Sequence, residues 1–130
     1  EFDSVLTFYE YDLATVAATH DLMPAAKKHD VAVIAGSPAR MGLFATNSVE
    51  RFEKHPAEIR ARIPRLEELF GKPYYELAND SIRFLLADPA IQSIVIGSSR
   101  IESLENSIEA ALLGPLPADV VAQVFEICER

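Results

Sequence analysis

Two runs constrain this chain more than anything else in it: Val31-Ala32-Val33-Ile34-Ala35, closing on Gly36-Ser37-Pro38, and Ser93-Ile94-Val95-Ile96, closing on Gly97. Both are near-continuous in apolar residues. A strand with one wet face alternates, whereas an unbroken short run reads as a strand buried on both faces of a parallel sheet. A third run, Val5-Leu6-Thr7-Phe8-Tyr9, is β-branched and aromatic between charged neighbours.

Helical patterns lie between and after these runs. Asp21 to His29 is short and ends in Lys27, Lys28 and His29, cations that suit a helix C-terminus. Tyr74 to Leu86 puts Tyr74, Leu77, Ala78, Ile82, Leu85 and Leu86 on one stripe before the stop at Asp88-Pro89. Ile101, Leu104, Ile108 and Leu112 form a second stripe, which ends at Gly114-Pro115. Pro117 to Cys128 reads as a final helix with Val120, Val121, Val124 and Ile127 apolar. The connection from Ala39 to Pro73 is too long to be structureless. Within it Ala57 to Phe70 has helical spacing interrupted by Pro64, which predicts a kink or two short helices. Strands alternating with helices predict an α/β fold with parallel strands and helical crossovers.

Size and charge then exclude whole classes. At 130 residues the chain is one domain or a piece of a larger one. It does not open on Met, which fits a segment of something longer. Twelve Lys+Arg against 20 Asp+Glu leave a net charge of −8, so neither nucleic acid nor an anionic membrane surface is an expected partner. No run approaches the ~20 apolar residues of a membrane helix. With one cysteine there is no intrachain disulfide and no multi-cysteine zinc site. No signal peptide is visible, and the expected location is cytoplasmic.

In parallel α/β folds ligands bind at the carboxyl ends of strands, which selects two segments. Gly97-Ser98-Ser99-Arg100 joins a close-approach glycine, two hydroxyls, a helix start and a guanidinium, a set that suits a phosphate. The same residues also read as plain helix capping, because Ser99 and Glu102 form an S-x-x-E box. Gly36-Ser37-Pro38-Ala39-Arg40-Met41-Gly42 is a tight loop whose position favours function, although a simple turn has the same composition. Neither segment is a Walker phosphate loop, and no G-x-G-x-x-G is present. His20, His29 and His55 lack metal-like spacing, and Cys128 reads as a small buried hydrophobe. Tyr9 and Tyr11 read as packing residues, with ligand contact open to the last residue of the first strand.

The order of these segments resembles the aldo-keto reductases. Val31 to Pro38 followed by Met41-Gly42-Leu43-Phe44 is similar to their seventh strand and its loop. Ala78 to Leu86, Asp88 to Ile91 and Ser93 to Gly97 resemble their seventh helix and eighth strand, Gly97 to Ser107 their cofactor loop and helix, and Val5 to Tyr11 their sixth strand. Ser37 to Leu43 and His55-Pro56-Ala57 look like the branch of sugar 1-dehydrogenases acting on L-galactose and D-arabinose.

The resemblance implies the C-terminal part of a (β/α)8 barrel: residues 1–130 as one partial-barrel segment of about three βα units plus a C-terminal helix. A complete barrel needs ~250 residues. It implies NAD or NADP as cofactor. Ser37, Pro38 and Gly42 would lie at its pyrophosphate, and Gly97, Ser98, Ser99, Arg100, Ser103, Asn106 and Ser107 toward its adenosine end. It further implies a small sugar or aldehyde substrate. Three positions depart from the family. Gly36 stands where many members stack an aromatic residue on the nicotinamide, Ser107 where they have Asn, and Ser103 where an Arg often meets a 2′-phosphate. The last exchange favours NAD, while Arg100 leaves NADP open. The family's catalytic Asp, Tyr, Lys and His come from earlier strands without counterpart here, so no catalytic residue is assigned. The missing N-terminal barrel half is the expected partner. The alternative is a non-catalytic partial barrel that dimerises through exposed sheet edges.

Overall fold

The computed structural model describes residues 2–130. Three parallel strands, β1 (Ser4–Phe8), β2 (Ala32–Gly36) and β3 (Ile91–Val95), lie in that order in one sheet. All three sequence runs become strands, with their ends displaced by one or two residues. The register aligns Phe8 with Gly36 and Gly36 with Val95, so the carboxyl ends of the strands are level. Between β2 and β3 the register skips Gln92. The side-chain Oε1 of this extra residue accepts the Val33 N–H at 2.6 Å, filling the gap the bulge leaves in the ladder.

The expectation that both apolar runs are buried on two faces does not hold: even in the central strand Ile34, register partner of Leu6, is only partly buried. In β2, Val33, Ala35 and Gly36 are buried. In β3, Gln92, Ser93 and Val95 are exposed, and on β1 so are Leu6 and Phe8. The physical reason is topological: β1 and β3 are both edges, and among the described residues the sheet is covered on one face only. The bare face carries Leu6, Phe8 and Val95, each about half exposed.

The helices are α1 (Leu22–Lys28), α2 (Val49–Glu53), α3 (Ala57–Phe70), α4 (Ala78–Leu86), α5 (Ile101–Leu112) and α6 (Ala118–Glu129). Three expectations need correction. First, of the two outcomes expected at Pro64, a kink or two short helices, the second does not occur: α3 is one 14-residue helix. Pro64 removes only the bond to the Arg60 carbonyl, and the buried Ile59, Ile63 and Leu66 on either side hold the two turns to the same core. Second, Tyr74 does not begin a helix. Tyr74–Glu76 is a 3-10 turn after Pro73, and α4 proper starts at Ala78. Third, the apolar stripe of α5 points outward: Ile101, Leu104, Ile108 and Leu112 are exposed, while Ser107 and Ala110 are buried. Alpha5 lies against α4 and buries only small residues, while Ile101 and Leu112 stand largely in solvent and Leu104 and Ile108 are about half exposed. α2 has no counterpart in the periodicity; Ser48 caps it by accepting the Arg51 N–H at 3.3 Å.

The core lies between the sheet and α3, α4 and α6. Leu13, Leu43, Phe44, Leu66, Leu77, Phe84, Leu85 and Val124 are essentially inaccessible to solvent. Tyr11, Phe84 and Phe125 stack at centroid separations of 5.3, 6.0 and 6.5 Å, within the range where aromatic pairs attract.

Candidate functional site

Because Gly36 and Val95 are register partners, the loops that follow β2 and β3 leave the sheet side by side. The first is wound tightly. Ser37, Arg40, Met41 and Gly42 all have positive φ, at 57°, 48°, 52° and 87°. The Arg40 and Gly42 N–H groups donate to the Ser37 and Ala39 carbonyls at 2.8 and 3.1 Å, and the Met41 N–H donates to Ser37 Oγ at 3.1 Å. Buried Leu43 and Phe44 anchor its far end, and the Phe44 carbonyl accepts the Ala78 N–H at 3.0 Å. Left-handed backbone at non-glycine residues is costly and persists only where surroundings enforce it.

The second loop opens α5, without the capping box that Ser99 and Glu102 suggested. The helix begins one residue later, with Arg100 as its extended N-cap residue and no side-chain cap. Ser98 Oγ accepts the Arg100 N–H at 3.1 Å, and Glu102 pairs with Arg100 at 2.9 Å on the surface. The Ser99 hydroxyl and the first-turn N–H groups of α5 therefore remain available to a ligand.

Between the loops is a cleft of about 830 Å³. All the residues singled out at the two segments line it: Ser37, Pro38 and Gly42 on one wall, and Gly97, Ser98, Ser99, Arg100, Ser103, Asn106 and Ser107 on the other. Ser107 is the least available, because it is buried and its Oγ donates to the Ser103 carbonyl at 2.9 Å. Asn106 is exposed on the same helix. Leu6, Phe8 and Val95 extend the cleft onto the bare face of the sheet.

Sequence reasoning missed Arg51, on α2, which also lines the cleft. Its Nη1 donates to the Met41 carbonyl at 2.8 Å, so the guanidinium is fixed beside the first loop. Gly42 makes room for it: a Cβ there would lie 2.5 Å from Arg51 Nη1. Only the glycine hinted at this in the sequence, since the cation it accommodates comes from an element without strong periodicity. Arg51 and Arg100 thus place two cations on the cleft of a protein with a net charge of −8. At Gly97 an added Cβ would meet nothing within 4 Å, leaving the cleft open at that backbone. Two cations, free hydroxyls and helix N–H groups around a cleft of this size fit a phosphate-bearing dinucleotide.

Tyr9 and Tyr11 do not line this cleft, as their packing reading expected. Tyr11 is buried and donates to Asp88 Oδ2 at 2.6 Å; burial, followed by Asp88, pushes its phenol well above the usual range. The Tyr9 carbonyl lies 3.4 Å from Arg40 Nη1, and its ring rests on Phe8. Cys128 is buried against the Leu13 carbonyl at 3.5 Å, and burial pushes its thiol up to about 12. Among the described residues no group of three His, Cys, Asp or Glu side chains is placed to hold a metal.

Comparison with known proteins identifies the family and the fold. The family model described as "Aldo/keto reductase family" matches residues 1–129. The uncharacterized oxidoreductase YqkF of Bacillus subtilis (strain 168) is 30% identical over 97 residues, covering 68% of this chain and 32% of that protein. D-threo-aldose 1-dehydrogenase of Pseudomonas sp is 25% identical over 131 residues, covering 97% of this chain and 40% of that one. The chain thus spans well under half the length of these relatives. In fold it superposes on the holo form of aldo-keto reductase AKR11C1 from Bacillus halodurans with a TM-score of 0.78, at 18% identity, covering 97% of this chain and 41% of that one. The three parallel strands and their helices are therefore part of a (β/α)8 barrel.

Proposed function

The chain belongs to the aldo/keto reductase family, and on that premise we propose that it is the cofactor-binding part of an NAD(P)-dependent oxidoreductase acting on an aldose or a simple aldehyde. In this reading residues 1–130 correspond to the sixth to eighth strands of the barrel with their helices. The observation that carries it is the convergence of two loops, some sixty residues apart in sequence, on one cleft with two guanidinium groups.

Ser37, Pro38, Gly42 and Arg51 would hold the pyrophosphate; Gly97 to Arg100, Ser103, Asn106 and Ser107 would meet the adenosine end. When bound, the nicotinamide supplies the hydride chemistry. This chain's own residues bind, orient and neutralise charge. Gly36 leaves the sheet flat beside Phe8, and Phe8, the last residue of β1, presents a half-exposed ring to the cleft. The name of the Pseudomonas relative favours an aldose as substrate. Ser103 favours NAD and Arg100 is compatible with NADP. A cytoplasmic setting belongs to the same reading.

The test is expression of the full reading frame that carries this chain, followed by an assay of NAD- and NADP-dependent oxidation of L-galactose, L-fucose and D-arabinose. Turnover of one of these is expected. No activity on any aldose or simple aldehyde would sink the proposal.

One observation favours a second reading, a non-catalytic partial barrel that associates with a copy of itself. Among the described residues β1 and β3 are unpaired edges, and Ile101, Leu104, Ile108 and Leu112 leave an exposed apolar face on α5. Light scattering separates the two: a stable, soluble monomer of this chain counts against self-association.

A further inference from the structure

We propose that Asp12 and Arg40 form a buried strut that holds the loop after β2 in its cofactor-facing shape, which makes both of them positioning residues for dinucleotide binding. This inference rests on the cofactor reading above and deepens it.

Arg40 Nη1 donates to Asp12 Oδ2 at 2.6 Å, across a sequence separation of 28 residues, with side-chain exposures of 6% and 2%. Asp12 is itself immobile. Its Oδ1 accepts the Ala14 N–H at 2.8 Å, and its backbone exchanges hydrogen bonds of 2.9 and 3.2 Å with Thr15. The turn it sits in is tied to α3, whose Arg62 Nη1 donates to the Ala14 carbonyl at 2.7 Å. On its other side the Arg40 guanidinium carbon lies 5.3 Å from the centre of the Tyr9 ring. The pair thus connects the segment after β1 to the loop after β2, on two strands that are hydrogen-bonded neighbours.

Neither Asp12 nor Arg40 lines the cleft. Their influence runs through the backbone. Arg40 and Met41 both have positive φ, a conformation that two consecutive L-residues leave unless something holds them. The next link is Met41, whose carbonyl receives Arg51. A path of direct contacts therefore runs from Asp12 through Arg40 and Met41 to the cation on the cleft. Arg40 Nε is buried without a partner, so the guanidinium's place is set by Asp12 and Tyr9 rather than by a full shell of acceptors. A buried ion pair is by itself a weak source of stability, and hydrophobic replacement of both partners is often neutral. That permits a variant that removes the strut without leaving a lone charge.

The experiment uses the full-length protein that carries this chain. Asp12→Leu/Arg40→Met removes both charges, and Arg40→Lys keeps the charge but loses the forked geometry. Thermal unfolding, NADH and NADPH dissociation constants, steady-state kinetics and amide exchange over residues 41–46 are measured for each. The double variant is expected to unfold cooperatively, bind both cofactors about tenfold more weakly, and exchange faster at residues 41–46 while α3 and α4 keep their protection. Arg40→Lys is expected to show the same changes to a smaller degree, with KM for the cofactor rising and kcat nearly constant; it carries the test if the double variant does not fold. Folded variants with unchanged cofactor affinity, whatever their melting temperature, overturn the strut and leave the cofactor reading intact. A wild-type protein that binds neither dinucleotide overturns the cofactor reading, and the strut's role with it.

Discussion

Replacing Gly42 by alanine separates two requirements at one position. Its φ is +87°, and a Cβ would lie 2.5 Å from Arg51 Nη1. An L-residue held in left-handed backbone loses about 1–2 kcal/mol. Arg51 sits at the end of a flexible side chain, so it swings aside rather than straining the fold. That forfeits its exposed bond to the Met41 carbonyl, roughly 0.5–1 kcal/mol. The sum is on the order of 2 kcal/mol, or about 6–10 °C in Tm for a domain of this size. Gly114 is the natural control. Its φ is +78° with nothing within 4 Å of an added Cβ, so Gly114→Ala carries the backbone term alone, about 1–2 kcal/mol. Gly97 is open and has no positive φ; Gly97→Ala should leave stability unchanged. Urea denaturation measures the three stabilities, and nicotinamide fluorescence measures NADH and NADPH affinity in the full-length protein. Gly42→Ala should weaken binding about tenfold, roughly 1.4 kcal/mol, by moving Arg51. Gly114→Ala should bind as wild type. Gly97→Ala should bind more weakly with no loss of stability. Wild-type cofactor affinity in Gly42→Ala would refute the assignment of Arg51 to the cleft.

Three further outcomes follow from the packing and the titrating groups. Phe84→Ala empties a fully buried site against Tyr11 and Phe125 and should cost about 3–5 kcal/mol, read from the denaturation midpoint. Ile108→Glu lies on the exposed stripe of α5; it should change the stability of the 130-residue chain by no more than about 0.5 kcal/mol, yet abolish any self-association seen by light scattering. The Cys128 thiol, raised by burial from 9.0 to about 12, should resist a thiol reagent at pH 8 until the protein is unfolded. The folded state holds this proton more tightly than the unfolded one. Stability is therefore fully present below pH 9 and falls as pH rises from 9 toward 12, and Cys128→Ala should flatten that slope in alkaline denaturation.

Much of the architecture was legible because it is local. The unbroken run into Gly36 and the spacing of Ile101 to Leu112 mark a strand and a helix whatever surrounds them. What such patterns do not carry is which face ends up covered. The stripe on α5 is helical as read, yet it faces outward, because the residues the helix buries are Ser107 and Ala110. Pro64 signals a break that tertiary packing overrides by burying Ile59, Ile63 and Leu66 along one core. The S-x-x-E pattern at Ser99 and Glu102 matches a capping box in spacing, but the helix starts a residue later and the box does not form.

By itself the sequence determined the alternation of strands and helices, the parallel sheet, and the two glycine- and serine-bearing segments at strand ends, and its ordered motifs carried the family resemblance. Each depends on spacing within a few residues. Only the tertiary structure decided that the segments share one cleft, that Arg51 stands beside Gly42, and that Asp12 meets Arg40 away from solvent. Those relations join residues on different elements, beyond the reach of a helix or strand repeat. They are set by the register that levels Phe8, Gly36 and Val95 and by the burial of the turns that follow, and no local periodicity encodes either.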